Sequence, residues 1–202
     1  MKRLFTCLIM IILIILLSAI TGCSVDKDHS TRGNEPMDLH NKELSDIEDK
    51  IKTSSFSSTL PTSYNISVNI SLKQEEMDRI IYEVTVDEAK QMMKDVTLSA
   101  HLDPDMALKL KTSNVFFTNI FDIDTYPDRF LLKPGGEIKG VQLFRGFILD
   151  PQALDQSFVD LYETVYVKVS WKSSDHTLHT EYFKIKGTSN EEITEYIQEK
   201  AN

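Results

Sequence analysis

The stretch YNISVNISLK, residues 64 to 73, alternates without a break. Tyr64, Ile66, Val68, Ile70 and Leu72 are apolar, while Asn65, Ser67, Asn69, Ser71 and Lys73 are polar. Successive side chains of a strand point to opposite faces, so a period of two predicts a strand with one dry face and one wet face. The same row recurs in Ile80, Tyr82, Val84 and Val86, and in Val96, Leu98, Ala100 and Leu102. It returns in Val165, Val167, Val169 and Trp171, which alternate with Tyr166, Lys168, Ser170 and Lys172, and again in Phe183 and Ile185. Sheets solvated on one side are antiparallel, whereas parallel sheets covered on both faces lose this alternation.

Two further stretches, Val115 to Ile123 and Ile138 to Leu149, are rich in aromatic and branched residues and read as strands. Pro134-Gly135-Gly136 supplies a turn ahead of the second, because glycine takes positive φ without steric cost. About seven strands are thereby expected, in a mostly β domain over residues 64 to 202 built as an antiparallel sandwich of two sheets. Helices are expected at Asp87 to Lys94, at Asp103 to Leu110 with Asp103 as cap and Pro104 in the first position, and at Ser189 to Lys200. In the last, Ser189 and Glu192 have the spacing of a capping box, and Ile193, Tyr196 and Ile197 form one apolar stripe that should dock on the sandwich.

Ahead of this domain the composition changes. From Ser24 to Ser63 the chain is mostly Ser, Thr, Asp, Glu, Asn and Lys, too poor in apolar residues to offset chain entropy, and reads as a disordered polar tether. Leu44, Ile47 and Ile51 recur at helical spacing after Asn41 and allow one short amphipathic helix within it. Residues 1 to 22 have the three parts of an export signal: Lys2 and Arg3, an apolar run from Leu4 to Leu17, and the small residues of Ser18 to Gly22. The apolar run is short beside the roughly 20 residues of a membrane span.

Ile20-Thr21-Gly22-Cys23 resembles the lipobox of bacterial lipoproteins. The resemblance implies cleavage after Gly22 and a diacylglyceryl thioether on Cys23, which would hold the protein on the extracytoplasmic face of the cell membrane. Two acyl chains hold firmly where one binds only marginally. The only other cysteine, Cys7, lies in the leader, so the mature domain has no internal disulfide and relies on its core. Without the leader the chain carries 20 basic and 31 acidic residues, a net charge of −11. Such a body is expected to avoid nucleic acid and to gain no electrostatic grip on anionic headgroups. Its expected partners are the membrane, through the lipid, and an envelope protein.

The stretch Leu132-Lys133-Pro134-Gly135-Gly136-Glu137-Ile138-Lys139-Gly140-Val141, with Leu143-Phe144 behind it, is similar to a signature of small secreted immunoglobulin-like domains in Gram-positive lipoproteins. That resemblance implies an Ig-like sandwich outside the cytoplasm and brings no catalytic position with it. The cysteine pair of antibody domains is absent, and the one tryptophan sits in a late strand.

Four constellations bear on chemistry. Asp122, Asp124 and Asp128 flank a Tyr126-Pro127 turn and read as solvated acids, since the glycine and final glutamate of an EF-hand loop are missing. His176 and His179 are three apart in an expected hairpin, where that offset sends the rings to opposite faces, so no zinc site is expected. His101 lies on the polar row of its strand and reads as a surface histidine. There is no Gly-x-Ser-x-Gly elbow and no glycine-rich loop before a helix. The set Phe116, Phe117, Phe121, Phe130, Phe144 and Phe147 exceeds what one face of two strands buries. It is expected either to be covered by the helices or to leave a protein-binding patch.

The leading expectation is a membrane-anchored, non-catalytic binding module with no cofactor and no metal. The alternatives are an envelope enzyme or accessory with a loop-built site, and a subunit that docks through its last helix.

Overall fold

The computed structural model describes residues 35–74, 77–123 and 125–201. An N-terminal helix, α1 (Glu35–Lys52), precedes three nine-residue strands, β1 (Asn65–Lys73), β2 (Arg79–Asp87) and β3 (Lys94–Leu102). A 3-10 turn (Pro104–Leu108) leads to the short β4 (Phe116–Thr118), and another (Pro127–Phe130) to β5 (Gly140–Ile148). A third (Pro151–Ala153) and α2 (Gln156–Leu161) lead to β6 (Thr164–Lys172), β7 (Leu178–Lys186), a two-residue β8 (Thr188–Ser189) and α3 (Glu191–Ala201). The strands form two sheets of four, ordered β5-β2-β1-β8 and β4-β3-β6-β7. Pairing is antiparallel throughout except between β1 and β8.

Register explains the alternation. β1 and β2 pair from Asn65 opposite Asp87 to Lys73 opposite Arg79, which sets Ile66 beside Val86, Val68 beside Val84 and Ile70 beside Tyr82. All of these are buried, and they share one core with Val96, Leu98, Ala100 and Leu102 of β3 and Val165, Val167, Val169 and Trp171 of β6. Each Val, Leu or Ile among them contributes about 1.5–3 kcal/mol by leaving water. Edge-to-face contacts cross this core, Tyr64 to Trp171 with ring centroids 5.4 Å apart and Phe117 to Phe147 at 5.9 Å. The Tyr82 hydroxyl, wholly buried, donates to the Tyr162 carbonyl at 2.8 Å.

The strand count is eight rather than about seven. The strand expected over Val115 to Ile123 is confined to Phe116–Thr118, because the Asn119 side chain takes over the ladder. It accepts from Leu98 N at 2.8 Å and donates to Val96 O at 3.3 Å, so beyond the bond from Asn119 N to Leu98 O at 3.1 Å a side chain stands in for the main-chain partner. The helix expected over Asp87 to Lys94 is a connection instead. Glu88 has φ +47°, and Met93, fully buried, bridges to Leu132. Asp103 does cap its turn, accepting from Asp105 N at 3.1 Å, but the turn is 3-10 and stops at Leu108. In α3 the cap is Asn190, whose side chain accepts from Ile193 N, so the capping box of Ser189 and Glu192 is not formed. Ser189 belongs to β8 and donates to Glu163 at 2.9 Å. The stripe Ile193, Tyr196 and Ile197 is buried in the common core.

The short helix allowed within the tether is longer than its apolar spacing suggested, and it is ordered against the domain. It ends at Lys52, and the turn after it is closed by Ser54, whose φ of 51° is left-handed, with Ser55 N bonded back to Lys50 O. The chain then runs beside β7, where Ser57 bridges Phe183 in parallel. Residues 35–63 therefore contribute structure that the polar composition did not announce.

Candidate functional site

The polar rows of the two sheets have different fates. On the second sheet, α1 lies across the outward side chains of β3, β6 and β7. Lys168, in the middle of β6, is 11% exposed and pairs with Glu43 at 2.9 Å and Asp46 at 2.7 Å. The Tyr182 hydroxyl donates to Asp46 at 2.7 Å, and Ser99, fully buried, donates to Glu43 at 3.0 Å. Burial alone would pull the Lys168 ammonium down, but its bonds to Asp46 and Glu43 outweigh burial and hold it above the usual lysine range. Asp46 is held below the usual carboxylate range, because Lys168 and Tyr182 overcome the burial that would raise it. Burial, then the Asp46 carboxylate, push the Tyr182 phenol up. Phe56 completes the cover with its ring 4.9 Å from that of Tyr166.

On the first sheet the outer face is open among the described residues. Asn65, Asn69, Gln142 and Gly146 are exposed, and Phe144, opposite Glu83 in the ladder, is 74% exposed in the middle of edge strand β5. Ile81 and Ile148, on the same face, are half-buried.

The residues singled out in the sequence are scattered. Cys23, Cys7 and the leader lie outside the described residues, as does Asp124. Asp122 and Asp128 are exposed around the turn in which Tyr126 N bonds Asp122 O at 2.9 Å. His176 sits exposed at the tip of the β6–β7 hairpin with φ +65°. His179 instead stacks on Trp171 with centroids 5.1 Å apart. Among the described residues no group of three His, Cys, Asp or Glu could hold a metal ion.

His101 is not a surface histidine. It is 6% exposed, because α1 covers the polar row on which it lies. It pairs with Tyr166 at one end of β6, while the hairpin carrying His176 follows Lys172 at the other, about 20 Å away along the strand. His101 and His176 therefore do not converge.

Of the six phenylalanines, Phe116, Phe117, Phe130 and Phe147 are buried. Phe121 is 44% exposed, with His40 of α1 stacked on it at a centroid distance of 6.1 Å, and Phe144 has no such ring contact among the described residues. Two shallow grooves lie among the described residues. One of about 410 Å³ runs between Ser57, Thr59 and Pro61 and the β7 edge at Glu181 and Phe183. The other, about 480 Å³, lies between Asp160, Glu163, Lys184 and Lys186. Among the described residues no helix is long and apolar enough to cross a membrane.

No protein-family model matches the chain, and no curated protein matches it in sequence.

The residues that reasoning from sequence missed are Glu43, Asp46 and Ser99, the inner side of the α1 cover. A signal was present. Tyr166 and Tyr182 stand on the supposedly wet rows of β6 and β7, and Glu43 and Asp46 are three apart, at helical spacing, just before Ile47.

Proposed function

We propose that this protein is a lipid-anchored, extracytoplasmic binding module of the cell envelope, held to the membrane through Cys23 and acting without catalysis. The observation that carries the binding half is Phe144, three-quarters exposed on an open sheet face among Asn, Ser, Gln and Glu side chains. A large apolar ring left in water on a mostly polar sheet face is the kind of anchor that protein partners engage. The anchoring half is supported by the basic start, the apolar run and the Ile20-Thr21-Gly22-Cys23 motif.

The strand order supports an Ig-like domain. β1, β2 and β5 stand in the positions of strands A, B and E, and β3, β6 and β7 in those of C, F and G, with β4 beside C. The separation of His101 from His176, the exposure of Asp122 and the burial of the α3 stripe weigh against a loop-built enzyme and against docking through the last helix.

The test has two arms. Mass spectrometry of the protein purified from membranes should find cleavage before Cys23 and a diacylglyceryl mass on it; an intact leader with an unmodified Cys23 would refute anchoring. Crosslinking in the envelope from a photoreactive residue at position 144 should yield one discrete adduct. A smear matching that from an exposed control position such as Lys133 would refute a dedicated surface.

A further inference from the structure

The underside of α1 is of an unusual kind for a helix interface. Ile47 is its one fully buried apolar residue among those described, Leu44 and Ile51 are half-buried, and beside the ring contacts of His40 with Phe116 and Phe121 and of Lys50 with Tyr182 the contact is ionic or polar. Within it lies His101, whose Nδ1 bonds the Leu102 carbonyl. A carbonyl only accepts, so Nδ1 carries a proton in either charge state, and it is burial that favours the neutral ring. Phe116 of β4 has its ring 6.4 Å away, with His40 of α1 edge-on to that ring at 5.1 Å. Tyr166 of β6 is the cross-strand neighbour, Glu48 faces His101 from α1, and Asp103 does so from the end of β3.

We propose that α1 is a releasable strap, docked across the second sheet near neutral pH and let go as the medium turns mildly acid. Burial holds the His101 imidazole below its ordinary value, although the Leu102 carbonyl, Glu48 and Asp103 act in the other direction. Once α1 lifts, the ring meets water and returns towards the ordinary value of about 6.5. Its contribution to docking is therefore complete above that value and is lost as pH falls through the lower docked one. Asp46, also held low when docked, adds a second loss under more acid conditions, when its bond to Lys168 is titrated away.

Release uncovers Ser99, His101, Phe116, Lys168 and Tyr182, and frees the 18 residues of α1 to lengthen the link between Cys23 and β1. The second consequence rests on lipid attachment at Cys23; the release does not.

Hydrogen exchange on the full chain in detergent micelles, corrected for intrinsic rates, should show a several-fold fall in protection over residues 40–52 between about pH 7.5 and about pH 5.5. Protection in β2, β3 and β6 should hold. His101→Gln should flatten the change. Because that position is buried, a second variant leaves the sheet untouched: Glu43→Gln with Asp46→Asn should release α1 already at about pH 7.5 while the strands stay protected. Equal α1 protection at both pH values would overturn the strap, as would simultaneous loss from α1 and the strands. A Cys23→Ser chain run beside the parent keeps the two readings apart, since release must persist in it whatever the mass of the parent's Cys23.

Discussion

The outer faces of the two sheets are written in nearly the same alphabet and end in opposite environments. On the first, Asn65, Asn69 and Gln142 meet water and surround an exposed Phe144. On the second, Ser99, His101 and Lys168 are buried under α1, each with a polar partner. A polar row thus states only that its residues need hydrogen bonds, which water and a suitably charged helix can both supply. The difference lies in how firmly each face is tied to the core. The core between the sheets is apolar and continuous, whereas the α1 interface has one fully buried isoleucine, two half-buried aliphatic residues, the His40 ring contacts and a charge network whose desolvation offsets much of its attraction.

Four substitutions probe that contrast. Leu98→Ala, in the shared core, should cost about 2–5 kcal/mol and lower the denaturant midpoint of both sheets together. Separate transitions for the two sheets would break the picture of one core. Ile47→Ala should cost about 2 kcal/mol, but only in the docking of α1. Hydrogen exchange should rise in residues 40–52 while the unfolding midpoint of the strands barely moves; a shift as large as that of Leu98→Ala would make α1 part of the core.

Asn190→Ala removes the α3 cap and should cost about 1 kcal/mol, read as a lower thermal midpoint with faster exchange in the first turn of α3. Phe144→Ser should change stability by less than about 0.5 kcal/mol while abolishing the discrete crosslinked adduct. A large loss of stability there would mean that the open face carries structure rather than recognition.

Much of the architecture was legible because strand periodicity is local and strict. The rows beginning at Tyr64, Ile80, Val96 and Val165 face the core as their alternation required, and the stripe of Ile193, Tyr196 and Ile197 buries itself as an amphipathic helix must. Where the reading failed, a distant partner had intervened. Asn119 ended β4 by substituting a side chain for the backbone, and Met93 drew an expected helix into a bridge with Leu132. His101 was misplaced because its cover lies more than fifty residues upstream, in a segment whose composition alone reads as unfolded.

The sequence by itself determined a mostly β domain, the inward set of side chains and the acidic charge. These depend on neighbours a few residues apart or on simple totals. Only the tertiary structure decided which polar row stays wet, which phenylalanines are shielded, and that Glu43 and Asp46 meet Lys168. Those outcomes depend on two segments far apart in the chain sharing one surface, where the balance between desolvation and pairing is fixed by geometry that no local pattern encodes.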